Sequence, residues 1–328
     1  MPERVRPVTK RLRPGPGAPV DVRTVERKFG GTETLEGAGV RLRRMFGNSE
    51  VPLLDPFLLL DNFGSMNPAD YVKGFPWHPH RGLETVTYMM SGRTAHEDSL
   101  GNKGVIDSGD VQWMSAGSGI MHQEMPQRTE GLLSGFQLWV NLPHARKMET
   151  PAYRGVAASS IPTVKEEEGS VVQVIAGEYH TVEGPVRHIP VDPLYIDVRL
   201  PPHGTFDHPV KRGYTVFAQT VEGSGSFDPL GMPAVESDQE RLYTGDMDPA
   251  NDATCGKGET VLYGDGDLVN VVAGDRGLRF LLISGKPLGE PVAWYGPIVM
   301  NTREEIVQAF TELRKGDFIK AKKVINES

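Results

Sequence analysis

Residues 74–125 read GFPWHPHRGLETVTYMMSGRTAHEDSLGNKGVIDSGDVQWMSAGSGIMHQEM. Two short segments in this stretch carry its chemistry, His78-Pro79-His80 and His122-Gln123-Glu124. Each places two metal-capable side chains at i and i+2. In an extended strand those side chains share a face and stand about 6–7 Å apart along the chain. Two imidazoles from one strand can therefore meet an imidazole and a carboxylate from another on a single ion.

The residues around these segments predict short β-strands. Glu84–Met90 is rich in β-branched and aromatic residues and ends at the Ser91-Gly92 turn, after which Arg93–Asp98 returns. Turn signals flank Val105-Ile106, Val111–Met114 forms a further strand, and Ile120–Glu124 carries the second ligand pair. Upstream, Val22–Arg43 and Leu53–Phe63 read as entering strands, and residues 135–142 continue the sheet. Close spacing of short strands predicts an antiparallel barrel or sandwich and excludes βαβ units.

The chain of 328 residues has room for two domains, and its 38 glycines and 26 prolines favour a turn-rich architecture. A net charge of −8 argues against direct binding to nucleic acid, which needs a basic footprint. The single cysteine, Cys255, excludes a disulfide framework and a Cys-rich zinc site, which fits a reducing compartment. The expectation is a cytoplasmic monomer, nuclear as well in a eukaryote. No apolar run reaches the roughly 18 residues of a membrane span. Residues 1–20 read as a disordered basic leader, because Pro14 and Pro16 would break a helix there.

Residues 143–168 form a Pro-rich, charged connector, which places one β-rich domain over 21–168 and a second over 169–300. In the second, Asp228–Asp252 carries seven acids against one arginine and reads as an acidic surface insertion. Residues 301–328 close the chain as a helix, with Thr302 and Glu305 spaced as a capping box and Ile306, Phe310 and Leu313 as its apolar stripe.

The second half repeats the first weakly. Arg81-Gly82 and Gly92 are matched by Arg212-Gly213 and Gly223, and the turn Gly109-Asp110 by Gly266-Asp267. At these offsets, 131 and 157 residues, His78, His80, His122 and Glu124 map onto Pro209, Lys211, Arg279 and Leu281. The second copy keeps the turns and loses the ligands, so the fold does not need the histidines.

An isolated His-x-His is as readily a solvated turn as a ligand pair. A second pair at strand spacing, missing from the sister copy, favours the metal. Three neutral imidazoles and a carboxylate suit iron, nickel, copper, manganese or zinc, and an octahedral ion so held keeps two positions open, which favours iron. His96-Glu97-Asp98 competes, but reads as a polar strand end or an outer partner of the site. His203 and His208 read as loop residues beside prolines. Phe63, Phe75, Trp77, Met121 and Met125 cluster around the ligands in sequence and are candidates for an apolar substrate pocket, with ordinary core packing as the plainer account.

The segments LLLDNFG, GFPWHPHRGLETVTYMMSG, AHEDSLGNKGVIDSGDVQWMSAGSGIMHQEMP and YGPIVMNTREEI resemble the pirin family of the cupin superfamily. The likeness runs from about Leu53 to Asp317, and is tighter in the first half; the basic leader and the 228–252 insertion depart from it. It implies an all-β bicupin, two antiparallel jelly-roll-like β-barrels with a C-terminal helix. It further implies Fe(II) on His78, His80, His122 and Glu124, with a metal-free second barrel. Two activities are associated with the family. One is quercetin 2,3-dioxygenase activity, which opens a flavonol with dioxygen and releases carbon monoxide. The other is regulation without turnover, as partner of a transcription factor or metabolic enzyme. For the first, Glu124 is expected to be both ligand and general base.

Overall fold

The computed structural model describes residues 20–229 and 253–321. The leader, save its last residue, most of the acidic insertion and residues 322–328 lie outside the described residues. The expected all-β bicupin is what the chain forms: paired antiparallel strands throughout, with one α-helix among the described residues.

The chain divides into two compact units. The unit of the candidate metal site, the metal-site unit for short, comprises Gly31–Ser160, His188–Val191 and the described residues from Pro287 on. Its larger sheet has seven strands, in the order Ala152–Val156, Val111–Ser115, Leu83–Ser91, Leu133–Asn141, Phe57–Ser65, Val40–Phe46 and Thr32–Glu36. A second sheet of four runs Phe75–His80, Ile120–Pro126, Thr94–Asp98 and Lys103–Ile106. Strict alternation decides which side chains enter. Along Ile120–Pro126 every second residue is buried, beginning with Ile120, so His122 and Glu124 point in while Met121, Gln123 and Met125 point out.

The other unit contains the described residues up to Gly30, with Ile161–Arg187 and the described part of Asp192–Lys286. Its strands repeat the same order: Val25–Phe29, Thr260–Tyr263, Thr215–Ser226, Leu268–Gly285, Leu194–Leu200, Val171–Ala176 and Thr163–Lys165. Thr205–Pro209 pairs with the first part of Leu268–Gly285, as Phe75–His80 pairs with Ile120–Pro126. Its interior is a continuous apolar core that includes Ile196, Phe206, Ala218, Phe227, Val261, Val271, Phe280 and Leu282. Cys255 is buried in this core, on the strand Thr254–Gly256.

These units are drawn differently from spans 21–168 and 169–300. The residues expected to be a connector include Ala152–Val156, which hydrogen-bonds to Val111–Ser115 and ends the metal-site sheet. The equivalent edge of the other sheet is taken by the N-terminal strand Val25–Phe29, which pairs with Thr260–Tyr263. A charged, Pro-rich composition hides an edge strand because such strands need apolar residues on one face only. The helix is Arg303–Lys315, shorter than 301–328, and belongs to the metal-site unit. Its capping box is formed, with Thr302 Oγ1 accepting from Glu305 N at 3.2 Å and Glu305 Oε2 accepting from Thr302 N at 2.9 Å. Gly316 ends it in the left-handed region at φ 80°. No helix among the described residues is long and apolar enough to cross a membrane.

Candidate metal centre

His78 and His80 project from one face of Phe75–His80, and His122 is paired directly with His78 across the ladder. The three Nε2 atoms converge. His78 Nε2 lies 3.1 Å from His80 Nε2 and 2.9 Å from His122 Nε2. Two donors on one ion at about 2.1 Å and 90° stand about 3.0 Å apart, against about 3.4 Å at the tetrahedral angle. The two spacings are nearer the octahedral separation than the tetrahedral one.

The other ring nitrogens fix the tautomers. His78 Nδ1 donates to Pro76 O at 2.8 Å, and His80 Nδ1 donates to Pro297 O at 3.1 Å. Each therefore presents a lone pair at Nε2, the arrangement metal-bound imidazoles require. Burial, and next the neighbouring His78 imidazole, hold His80 well below the usual histidine range. Burial and the surrounding imidazoles do the same for His122. Converging nitrogen lone pairs repel one another unless a cation lies between them, and a divalent ion fits this donor set.

Glu124 shares the inward face, and a bulge after His122 sets it opposite Phe75. Its Oε1 accepts from Thr87 Oγ1 at 2.9 Å and its Oε2 from Gln137 Nε2 at 3.2 Å. Three of the four expected ligands thus form a cluster whose donor atoms lie within 4.8 Å of one another, with the carboxylate held beside them by two donors from the larger sheet.

Thr87 and Gln137 belong to a polar row that crosses the sheet. Gln112, Thr87, Gln137, Asp61 and Arg44 are successive cross-strand partners. Arg44 closes the row with two hydrogen bonds of 2.8 Å to Asp61. Trp139 supplies an apolar wall, its ring edge-on to His80 at 5.0 Å. His96 is buried on the same inner face, opposite Glu124, stacked on Tyr153 at 5.1 Å and 5.5 Å from the His122 ring. It is part of the site's interior and not a hairpin end. The spacing His96-x-Asp98 on a strand beside the ligand strand was the signal, since both then face inward.

The aromatic and methionine candidates separate by the same rule. Phe75 lies 6.5 Å from the His78 ring and packs against a cluster containing Phe63. Trp77, Met121 and Met125 alternate with the ligands and point to the opposite face, Trp77 being 46 % exposed. These three cannot line a pocket at the histidines. The side chains that do line the site sit on other strands: Trp139 against His80, Thr87 and Gln137 on Glu124, and Tyr153 on His96.

The repeat also needs correction. The turn before Val111–Ser115 is matched not by Gly266-Asp267 but by Gly258-Glu259, which precedes Thr260–Tyr263; each of these strands lies against the strand that follows the Arg-Gly pair. The offset is then 149 residues, and pairing registers carry His122 and Glu124 onto Val271 and Ala273. His78 and His80 fall on Phe206 and His208, since Phe206 pairs with Val271 as His78 does with His122. His208 is thus a buried strand residue and no loop residue, and the second copy keeps one imidazole of the set.

Comparison with known proteins agrees with this architecture at both ends. The pirin family model matches residues 39–140, and that of the pirin C-terminal cupin domain matches 195–319. A pirin-like protein of Caulobacter vibrioides is 43 % identical over 298 residues, covering 90 % of this chain and 99 % of its own. Human pirin is 39 % identical over 293 residues, covering 88 % of this chain and 92 % of its own. A crystal structure of quercetin 2,3-dioxygenase from Acinetobacter baumannii superposes with a TM-score of 0.77 at 30 % identity, covering 90 % of this chain and 98 % of that one. With both barrels matched and the likeness spanning nearly the whole of its relatives, this chain is a member of the pirin family.

Proposed function

We propose that the chain is a metal-dependent dioxygenase that opens flavonols such as quercetin, with Fe(II) held by His78, His80, His122 and Glu124. The observation that carries the reading is the convergence of three imidazoles, two with their Nδ1 protons tied to backbone carbonyls, beside a carboxylate. The likeness to a solved quercetin 2,3-dioxygenase supports the substrate class. A bound iron would supply the open coordination positions and the redox chemistry by which a flavonol and dioxygen react.

The protein's own part is binding, orientation and proton transfer. Glu124 takes the proton of the flavonol 3-hydroxyl, and Thr87 and Gln137 aim its two oxygens. Trp139 and Phe75, beside His80 and His78, offer flat apolar surface to the rings. The products are the ring-opened ester and carbon monoxide, which together account for the flavonol and one dioxygen.

The test is to measure metal content, load Fe(II) anaerobically, and follow quercetin absorbance after admitting air. Loss of absorbance with one dioxygen consumed per flavonol, absent in His122→Ala, supports the enzyme. Iron bound stoichiometrically without turnover removes it. One observation favours the regulatory alternative in that case. Trp77 is exposed on the outer face of the strand that carries His78 and His80, where a protein partner would meet a large aromatic anchor rigidly tied to the metal site.

A further inference from the structure

His78 and His80 stand two residues apart, yet they are oriented in different ways. The Nδ1 of His78 is held by Pro76, two residues earlier, whereas the Nδ1 of His80 is held by Pro297, 217 residues later. The first ligand is set by its own strand. The second is set only when the C-terminal part of the chain is in place.

That part is fastened at the residues next to His80. Arg81 is buried, and its backbone oxygen accepts from Val299 N at 3.0 Å. Its guanidinium donates through Nε to Ser118 O at 2.8 Å and through Nη2 to Phe318 O at 2.9 Å, and pairs through Nη1 with Glu312 at 2.8 Å. The Phe318 ring lies under it at 4.3 Å. One side chain thus joins the end of the first ligand strand, the loop that enters the second, and the C-terminal helix with the segment beyond it.

Gly82 follows at φ 76°, where a Cβ would come within 1.9 Å of Val299 O, so backbone meets backbone here. The buried Lys147 ammonium binds Gly82 O at 2.7 Å, Val299 O at 3.1 Å and Asn141 Oδ1 at 2.6 Å. On the far side of His80, Trp139 lies between that ring and Trp294, at 5.0 and 6.0 Å. Ile298, Met300, Ile306, Ala309 and Phe318 bury their side chains in one apolar cluster, which makes docking cooperative.

We propose that the C-terminal segment from Ala293 to Phe318 is a positioning element of the metal centre, coupled to it through His80 and Arg81. Docking presets the His80 lone pair, and metal binding in turn stabilises docking, because a coupling free energy acts equally in both directions. Pro297, Glu312 and Phe318 are positioning residues; none of them is a ligand. The inference rests on the reading that the three histidines hold a metal.

The test uses the full chain with Ni(II) as the probe metal. Amide hydrogen exchange over 296–319 is compared with and without the ion, and dissociation into excess chelator is timed for Phe318→Ala, Glu312→Gln and a helix control, Val307→Ala, whose side chain is exposed. Ni(II) is expected to slow exchange over 296–319. Phe318→Ala and Glu312→Gln are expected to speed metal loss about tenfold, the low end for loss of an outer partner of a ligand, with Val307→Ala unchanged. A mere packing role would destabilise the segment without moving the metal rate. The proposal falls if exchange over 296–319 ignores the metal, or if a variant that loosens the segment releases metal at the wild-type rate. Should Phe318→Ala fail to fold, Glu312→Gln and the wild-type exchange pair decide. Wild-type protein that binds no Ni(II) would overturn the three-histidine reading, whereas tight binding with an indifferent C-terminal segment overturns the coupling alone.

Discussion

The row Gln112, Thr87, Gln137, Asp61, Arg44 in one unit has a counterpart in the other, Val261, Ala218, Leu282, Ile196, Val174, matched strand for strand by the pairing registers. Every member of the second row belongs to the apolar core. At the ligand positions His78, His80, His122 and Glu124 are answered by Phe206, His208, Val271 and Ala273. The same topology is filled in one unit by side chains that satisfy water's absence through packing, and in the other by polar groups that must find partners. The first solution stabilises directly; the second is costly unless each buried group is hydrogen-bonded or binds something. The two units therefore differ at more than the four candidate ligand positions. A whole inward layer changed with them.

The largest effect is expected from giving a ligand position the residue of its counterpart. His122→Val, which installs the residue of the sister position, should weaken metal binding by far more than the roughly 10- to 100-fold typical of an outer partner. Metal content after dialysis checks this, with circular dichroism to confirm that the sheets persist. Retained stoichiometric metal would show that the converging nitrogens are a packing arrangement.

The next largest effect concerns the carboxylate. Glu124→Gln keeps the shape and can still meet Thr87 and Gln137, but it cannot take a proton. Metal content should stay close to wild type while turnover of quercetin falls by about 10²–10⁴, the range general bases contribute. Unchanged turnover would remove Glu124 as the base.

His208 is the one imidazole that the other unit keeps at these four positions. Burial, and then the His180 imidazole, lower it from the ordinary histidine value of 6.5 to about 4. Between those values the unfolded chain binds more protons than the folded one, so stability rises with pH and is lost on acidification through that window. The loss is on the order of 3 kcal/mol by pH 4. His208→Phe would retain the aromatic stack with Tyr179 and Phe206 while removing the titration. Its unfolding midpoint should fall less than wild type between pH 7 and 4. Parallel declines would place the acid sensitivity elsewhere.

Much of this was legible before the strands were placed. Alternation along Ile120–Glu124 announced which side chains enter, and the i, i+2 pairs announced the histidines, because both depend on neighbours in sequence. The walls did not show, because cross-strand neighbours are set by register. Thr87, Gln137 and Trp139 are unremarkable residues until pairing aligns them. Trp77, Met121 and Met125 were near the ligands in sequence and on the wrong face in space. The repeat misled for a related reason: a Gly-Asp turn occurs at several loop ends, and only strand order identifies Gly258-Glu259 as the match for Gly109-Asp110.

The smallest predicted effect tests whether the polar row does more than fill space. Thr87 Oγ1 donates to one Glu124 oxygen, and its counterpart Ala218 has nothing to donate. Thr87→Val preserves shape but removes that donor, leaving Gln137 on the carboxylate's other oxygen. A hydrogen bond to a charged group contributes about 1.5–3 kcal/mol, so the carboxylate would be aimed less well and turnover should drop roughly tenfold or somewhat more. The histidines do not touch Thr87, so metal content should hold. If metal and turnover fell together, the row would be structural support for the whole centre. If neither moved, Glu124 would be positioned by its own strand, and the contrast between the two interiors would reduce to the four ligand positions. A selective loss of turnover is the outcome that ties the polar layer to proton transfer.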